Sequence, residues 1–146
     1  MIPQRNISLL SNRLAASGGR RIREDVLERD YCMAWFLAGL SQSDLRGILG
    51  FKGGTALKRC YFEDYRFSED LDFTLLESIP FVEILQRLEG VYRRVRESSG
   101  IVLSFEREDR QTHANSYTFY LKYSGRCLPR AIPKWISRFV SICSFH

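Results

Sequence analysis

Lys52-Gly53-Gly54-Thr55-Ala56-Leu57, followed by Arg66-Phe67-Ser68-Glu69-Asp70-Leu71-Asp72-Phe73, sets a glycine turn with a hydroxyl just ahead of two carboxylates one residue apart. Side chains of a strand alternate between faces, so Asp70 and Asp72 share one face while Leu71, Phe73 and Leu75 take the other. Ser68 and Thr74 continue the polar row. Two oxygen donors side by side suit Mg²⁺, which keeps much of its shell for water and substrate phosphates. A Gly-Gly-Thr turn opening a helix offers backbone N–H groups and a hydroxyl to a phosphate. Each half has a plainer reading. The acids fit a salt-bridge network with Arg66, and the glycines fit a tight turn with Thr55 as an ordinary N-cap. Their succession as strand, glycine turn, helix and acid-bearing strand favours a metal–nucleotide site, with phosphate on the turn and metal on the acids.

Outward from this stretch, hydrophobic periodicity predicts the remaining elements. Apolar residues at 7, 10 and 14 predict a helix over 7–16, ended by Gly18-Gly19. A second helix is expected over 22–40, with a partly solvated charged first half and a buried second half; Gly39 weakens its last turn. Residues 41–45 read as a polar connection, 48–51 as a short buried strand, 55–62 as a helix starting on Thr55, and 71–76 as the acid-bearing strand. The clearest helix is 80–99, bracketed by Pro80 and Gly100. Residues 102–107 and 117–123 alternate as strands, and 132–136 reads as a further strand confined to an edge by Pro133. This order predicts an α/β (α+β) fold, a small mixed sheet flanked by helices.

The chain has 146 residues, 45% hydrophobic and 27% charged, which suits one domain spanning 1–146 with a single core. The net charge of +5 is unevenly placed: residues 111–146 contain no Asp or Glu but hold Lys122, Arg126, Arg130, Lys134 and Arg138. A basic segment attracts nucleic acid or triphosphate. Cys32, Cys60, Cys127 and Cys143 form no Cys-x-x-Cys pair, and only His113 and His146 accompany them, so neither a zinc site nor a disulfide framework is indicated. Cys32 and Cys60, among apolar neighbours, read as core fillers. The longest apolar run, 31–40, is too short to span a membrane, and a cytoplasmic location is the expectation.

The two motifs together resemble the signature of the AbiEii/AbiGii toxin family, nucleotidyltransferase-like proteins of abortive-infection and toxin–antitoxin systems. Val26-Leu27-Glu28-Arg29-Asp30-Tyr31, followed by Trp35 and Leu37, resembles that family's "EKDY" helix, and the likeness extends over about 26–137. The resemblance implies a DNA-polymerase-β-like nucleotidyltransferase fold. It implies that Gly53, Gly54 and Thr55, with Lys52 beside them, hold a nucleoside triphosphate, and that Asp70 and Asp72 bind Mg²⁺ as the catalytic pair. The NMP of an NTP would pass to an RNA end, tRNA being the expected class, and a cognate antitoxin would be the partner.

Two departures from the family pattern stand out. The family's third acid, in a pattern like Ile-Lys-Val-Asp-Ile-Ser, is matched here by Ile132-Pro133-Lys134-Trp135-Ile136-Ser137, so Trp135 takes its place; Glu106, Glu108 and Asp109 are the nearby substitutes. Relatives also continue into a helical C-terminal region that this sequence lacks, which suggests a truncated or frame-shifted gene. The competing expectation is therefore a catalytically incomplete remnant that binds nucleotide or an antitoxin without turnover. A metal-dependent glycosyltransferase using Asp-x-Asp ranks third, because it leaves the Gly-Gly-Thr turn without a role.

Overall fold

A computed structural model describes residues 4–16, 22–62, 68, 70–108, 116–124 and 140–144. The described elements are helices α1 (Gln4–Ala16), α2 (Glu24–Ser41), α3 (Gly53–Cys60) and α4 (Phe81–Ser99), and strands β1 (Leu49–Lys52), β2 (Leu71–Leu75), β3 (Val102–Glu108), β4 (Ser116–Ser124) and β5 (Val140–Ser144). A 3₁₀ turn at Asp44–Gly47 replaces the expected polar connection, and it buries Leu45 completely.

The strands form one mixed sheet in the order β1-β2-β5-β4-β3. β1 and β2 are antiparallel, β2 and β5 parallel, and β5–β4 and β4–β3 antiparallel. One face is apolar. Leu71 and Phe73 of β2, Ile142 of β5, and Phe119 and Leu121 of β4 are almost wholly buried there. Helices α2 and α4 cover this face through Met33, Phe36, Ile84, Leu88, Val91 and Val95. Phe81, at the start of α4, stacks on Tyr117 at 4.6 Å between ring centroids and leans on Phe119 at 5.7 Å. Burial of this kind is the main stabilising term, about 25 cal/mol per Å² of apolar surface removed from water.

The sequence bracket on α4 is matched closely: Pro80 is its N-cap and Gly100, with φ of 73°, ends it in the left-handed conformation. Other boundaries move. α1 begins three residues before the expected 7, because its polar first turn carries no apolar signal. Glu28, expected on a partly solvated half-helix, is 3% exposed. Cys32 is buried as a core filler, but Cys60 is exposed at the last residue of α3. The expected edge strand at 132–136 lies outside the described residues. β5, in the middle of the sheet, lies between β2 and β4.

Candidate active site

The polar face of the sheet carries the sequence-predicted residues. Lys52 pairs with Asp72 across β1 and β2, Asp72 with Ser141 across β2 and β5, and Ser141 with Thr118 across β5 and β4. Their chain neighbours Phe73, Ile142 and Phe119 point into the core, so these four share the opposite face. A row Lys52–Asp72–Ser141–Thr118 thus crosses four strands, with neighbours about 4.8 Å apart by strand spacing. Asp70 lies one residue before β2, on the same alternation as Asp72.

The glycine turn closes on this row. Helix α3 starts at Gly53, with Lys52 as its N-cap. Gly53 has φ of 78°, a conformation that disfavours residues with a side chain. A Cβ placed on it would overlap Oδ2 of Asp72 and lie 3.0 Å from that residue's Cβ and Cγ. The turn backbone and the carboxylate are therefore in direct contact, and the contact requires glycine.

Thr55 does not begin the helix, as the sequence suggested. It is the third residue of α3, is 1% exposed, and its hydroxyl donates a 2.5 Å hydrogen bond to the backbone carbonyl of Asp70. That bond ties the turn to the residue entering β2, so Thr55 fixes the spacing between the glycines and the acids. Its hydroxyl is turned inward rather than toward solvent, whereas Lys52 and Gly53 are exposed and Gly54 is half-buried.

Burial pushes the Asp72 carboxyl above its ordinary value of 3.8, and the charge of Lys52 partly offsets this. A cation or a further hydrogen-bond donor at Asp72 would relieve the same penalty. The donor set fits Mg²⁺ in a partial way: two carboxylates are a usual protein contribution when phosphates and waters complete the shell. Among the described residues, no group of three or more His, Cys, Asp or Glu is placed to hold a metal ion.

Of the candidate substitutes for a third acid, Glu106 and Glu108 are not brought to this pair. Glu106 is on β3, separated from β2 by β4 and β5, and lies 3.9 Å from Lys122 in an ion pair. Glu108 is on the same distant strand. Trp135 and Asp109 lie outside the described residues. The residue of β5 in register with Asp72 is Ser141. Asp30, in the motif on α2, instead holds α3: Arg59 donates to its carboxylate at 2.8 Å and to its carbonyl at 2.7 Å. Sequence reading missed Ser141 and Thr118. The alternation Val140-Ser141-Ile142 was the available signal.

Of the aromatic residues considered for base stacking, Phe119 and Tyr123 are buried in the core and Tyr117 is stacked on Phe81. Tyr120 is on the polar face, with the Arg107 guanidinium 4.3 Å above its ring. Among the described residues no helix is long and apolar enough to cross a membrane.

Comparison with solved structures supports the fold. A candidate nucleotidyltransferase from H. pylori superimposes with a TM-score of 0.51 at 21% identity, over 84% of this chain and 46% of that one. JHP933 from Helicobacter pylori does so with a TM-score of 0.51 at 19% identity, over 84% and 45%. The chain thus spans less than half the length of either. No curated protein matches it significantly. The family model described as nucleotidyl transferase AbiEii toxin, type IV toxin–antitoxin system, matches residues 35–133, which include the glycine turn, both acids and most of the sheet. The chain belongs to the AbiEii nucleotidyl transferase toxin family.

Proposed function

We propose that this chain binds the triphosphate of an NTP between the start of α3 and the Asp70–Asp72 pair, and transfers its NMP to an RNA end of the tRNA class. The observation that carries this reading is the contact of Gly53 with the Asp72 carboxylate, which sets an exposed helix N-terminus against an acid. Backbone N–H groups at the start of α3, on exposed Gly53 and half-buried Gly54, and the ammonium of Lys52 suit phosphate oxygens. Asp70 and Asp72 would hold Mg²⁺, which when bound supplies charge neutralisation to the phosphates and orients the α-phosphate for in-line displacement. In that displacement the bond from the acceptor oxygen to the α-phosphorus forms as the bond to pyrophosphate breaks, and the acceptor hydroxyl's proton passes to water. Thr55, through the Asp70 carbonyl, keeps the acids and the phosphate cradle in register. A cognate antitoxin and a cytoplasmic setting belong to the same proposal.

A second reading has its own observation. The β5 residue beside Asp72 is Ser141, and residues 111–146 contain no Asp or Glu. This favours a domain that binds nucleotide without turnover, or one completed by a separate polypeptide. The deciding experiment incubates the chain with Mg²⁺, each labelled NTP and total tRNA, beside the Asp70→Ala/Asp72→Ala variant. Label on tRNA with the wild-type chain alone establishes transfer. Mg²⁺-dependent NTP binding without transfer establishes the binding-only reading, and loss of both in the wild type removes the site assignment.

A further inference from the structure

Helix α4 carries a second charged feature, on the side of the molecule opposite Asp72. An open groove of about 730 Å³ follows its outer surface and is lined by Arg87, Arg93, Arg94 and Arg96, with Tyr92 among them. The turn at Ser43 and Asp44 and the start of β3 form its other walls. Two acids, Asp44 and Glu89, also line it, so the four guanidiniums outnumber the carboxylates. Arg87 is paired with Glu83 at 2.5 Å, and Arg94 donates to the carbonyl of Gln42. Arg93 and Arg96 are exposed, and among the described residues neither forms an ion pair.

Tyr92 adds an independent observation. Its side chain is 6% exposed, and among the described residues its buried hydroxyl has no hydrogen-bond partner. A buried hydroxyl in that state is costly, and an incoming acceptor removes the cost. A phosphate oxygen suits the exposed guanidiniums of the same groove, because the planar arginine head donates two parallel hydrogen bonds to it. Arg93 and Arg96, which neither Glu83 nor Gln42 engages, are three residues apart, roughly 4.5 Å along the helix at 1.5 Å per residue. Two long guanidinium side chains so placed can each take a neighbouring phosphate of one backbone.

We infer that the α4 groove binds the phosphodiester backbone of the acceptor RNA at a distance from its reacting end. The identity of the RNA as acceptor rests on the proposed transfer reaction; the phosphate site does not. A domain of this length has a radius of gyration of roughly 15 Å, short enough for a folded RNA to place its end at Asp72 and its body on α4.

The test is fluorescence anisotropy with labelled total tRNA, from roughly 50 to 200 mM salt. Four proteins are compared: wild type, Arg93→Ala/Arg96→Ala, Tyr92→Phe and Asp70→Ala/Asp72→Ala. The arginine substitutions are expected to weaken binding about tenfold at the lowest salt and to reduce the salt slope by about 2, as for two lost phosphate contacts. Tyr92→Phe keeps the ring and is expected to weaken binding a few-fold. The aspartate variant is expected to keep RNA affinity. Undiminished RNA binding by the arginine variant overturns the inference, as does binding of poly-glutamate that alone depends on Arg93 and Arg96, which marks an acidic-protein surface. Transfer by the wild type together with normal RNA binding by the arginine variant sinks the groove and leaves the reaction standing. Arginine-dependent RNA binding with no transfer does the reverse.

Discussion

Gly53 and the Asp72 carboxylate touch across the junction of β1 and α3: a Cβ on the glycine would overlap Oδ2 of the aspartate. Two demands converge on this residue, the positive φ of 78° and the absence of a side chain. Gly53→Ala should therefore cost about 2 kcal/mol, from the left-handed backbone and displacement of the carboxylate. That corresponds to a fall of roughly 4–8 °C in melting temperature for a chain of this length. Nucleotide affinity should fall with it, measured by titration of a fluorescent NTP. Unchanged melting and affinity would show that the turn and the acid are not coupled.

Thr55 gives a prediction that separates structural tethering from phosphate contact. Thr55→Val keeps the shape and leaves the Asp70 carbonyl without the hydroxyl that donates to it. The cost should be about 1–3 kcal/mol, visible in thermal melts without nucleotide. Thr55→Ser should recover most of it. If Thr55→Val melts like the wild type but binds NTP weakly, the hydroxyl serves the ligand and not the strand.

Where the fold was readable in the sequence, the signal was local. Pro80 and Gly100 bracket α4, and the alternation of Leu71, Phe73 and Leu75 places the acids on the other face, because both effects act within a few residues. β5 was not readable in the same way. Val140–Ser144 is five residues long, and its place between β2 and β4 depends on partners far apart in sequence. The acid pair and glycine turn were visible as motifs. The inward hydroxyl of Thr55 was not, since an N-cap threonine and a buried third-position threonine look alike in sequence. Gly39 was legible only as a weak helix residue; its function is close packing, since a Cβ there would lie 2.9 Å from Cγ2 of Val95 and 3.2 Å from Cγ1 of Val91.

That packing yields its own expectation. Gly39→Leu should overfill the α2–α4 contact and destabilise the chain by about 1–3 kcal/mol. Adding Val95→Ala makes room on the facing helix, so the pair should be less destabilised than the sum of its two single substitutions. Strict additivity in a double-mutant cycle from urea unfolding would show that the two positions do not press on one another.

Asp72 links stability to pH and to metal. Folding raises its pKa above 3.8, chiefly by burial, so the folded chain holds this proton more tightly than the unfolded one. Stability from this group is therefore present at low pH and lost as pH rises from about 3.8 through the folded value. At neutral pH the full penalty of the charged form remains. Asp72→Asn removes the charge and should melt above the wild type at pH 7, with the gap closing as the pH drops below 3.8. Mg²⁺ should raise the melting temperature of the wild type by mass action and leave Asp72→Asn nearly unmoved. An Asn variant that melts lower at pH 7 would mean that the attraction of Lys52 outweighs burial, and the metal would then compete with that lysine for the carboxylate.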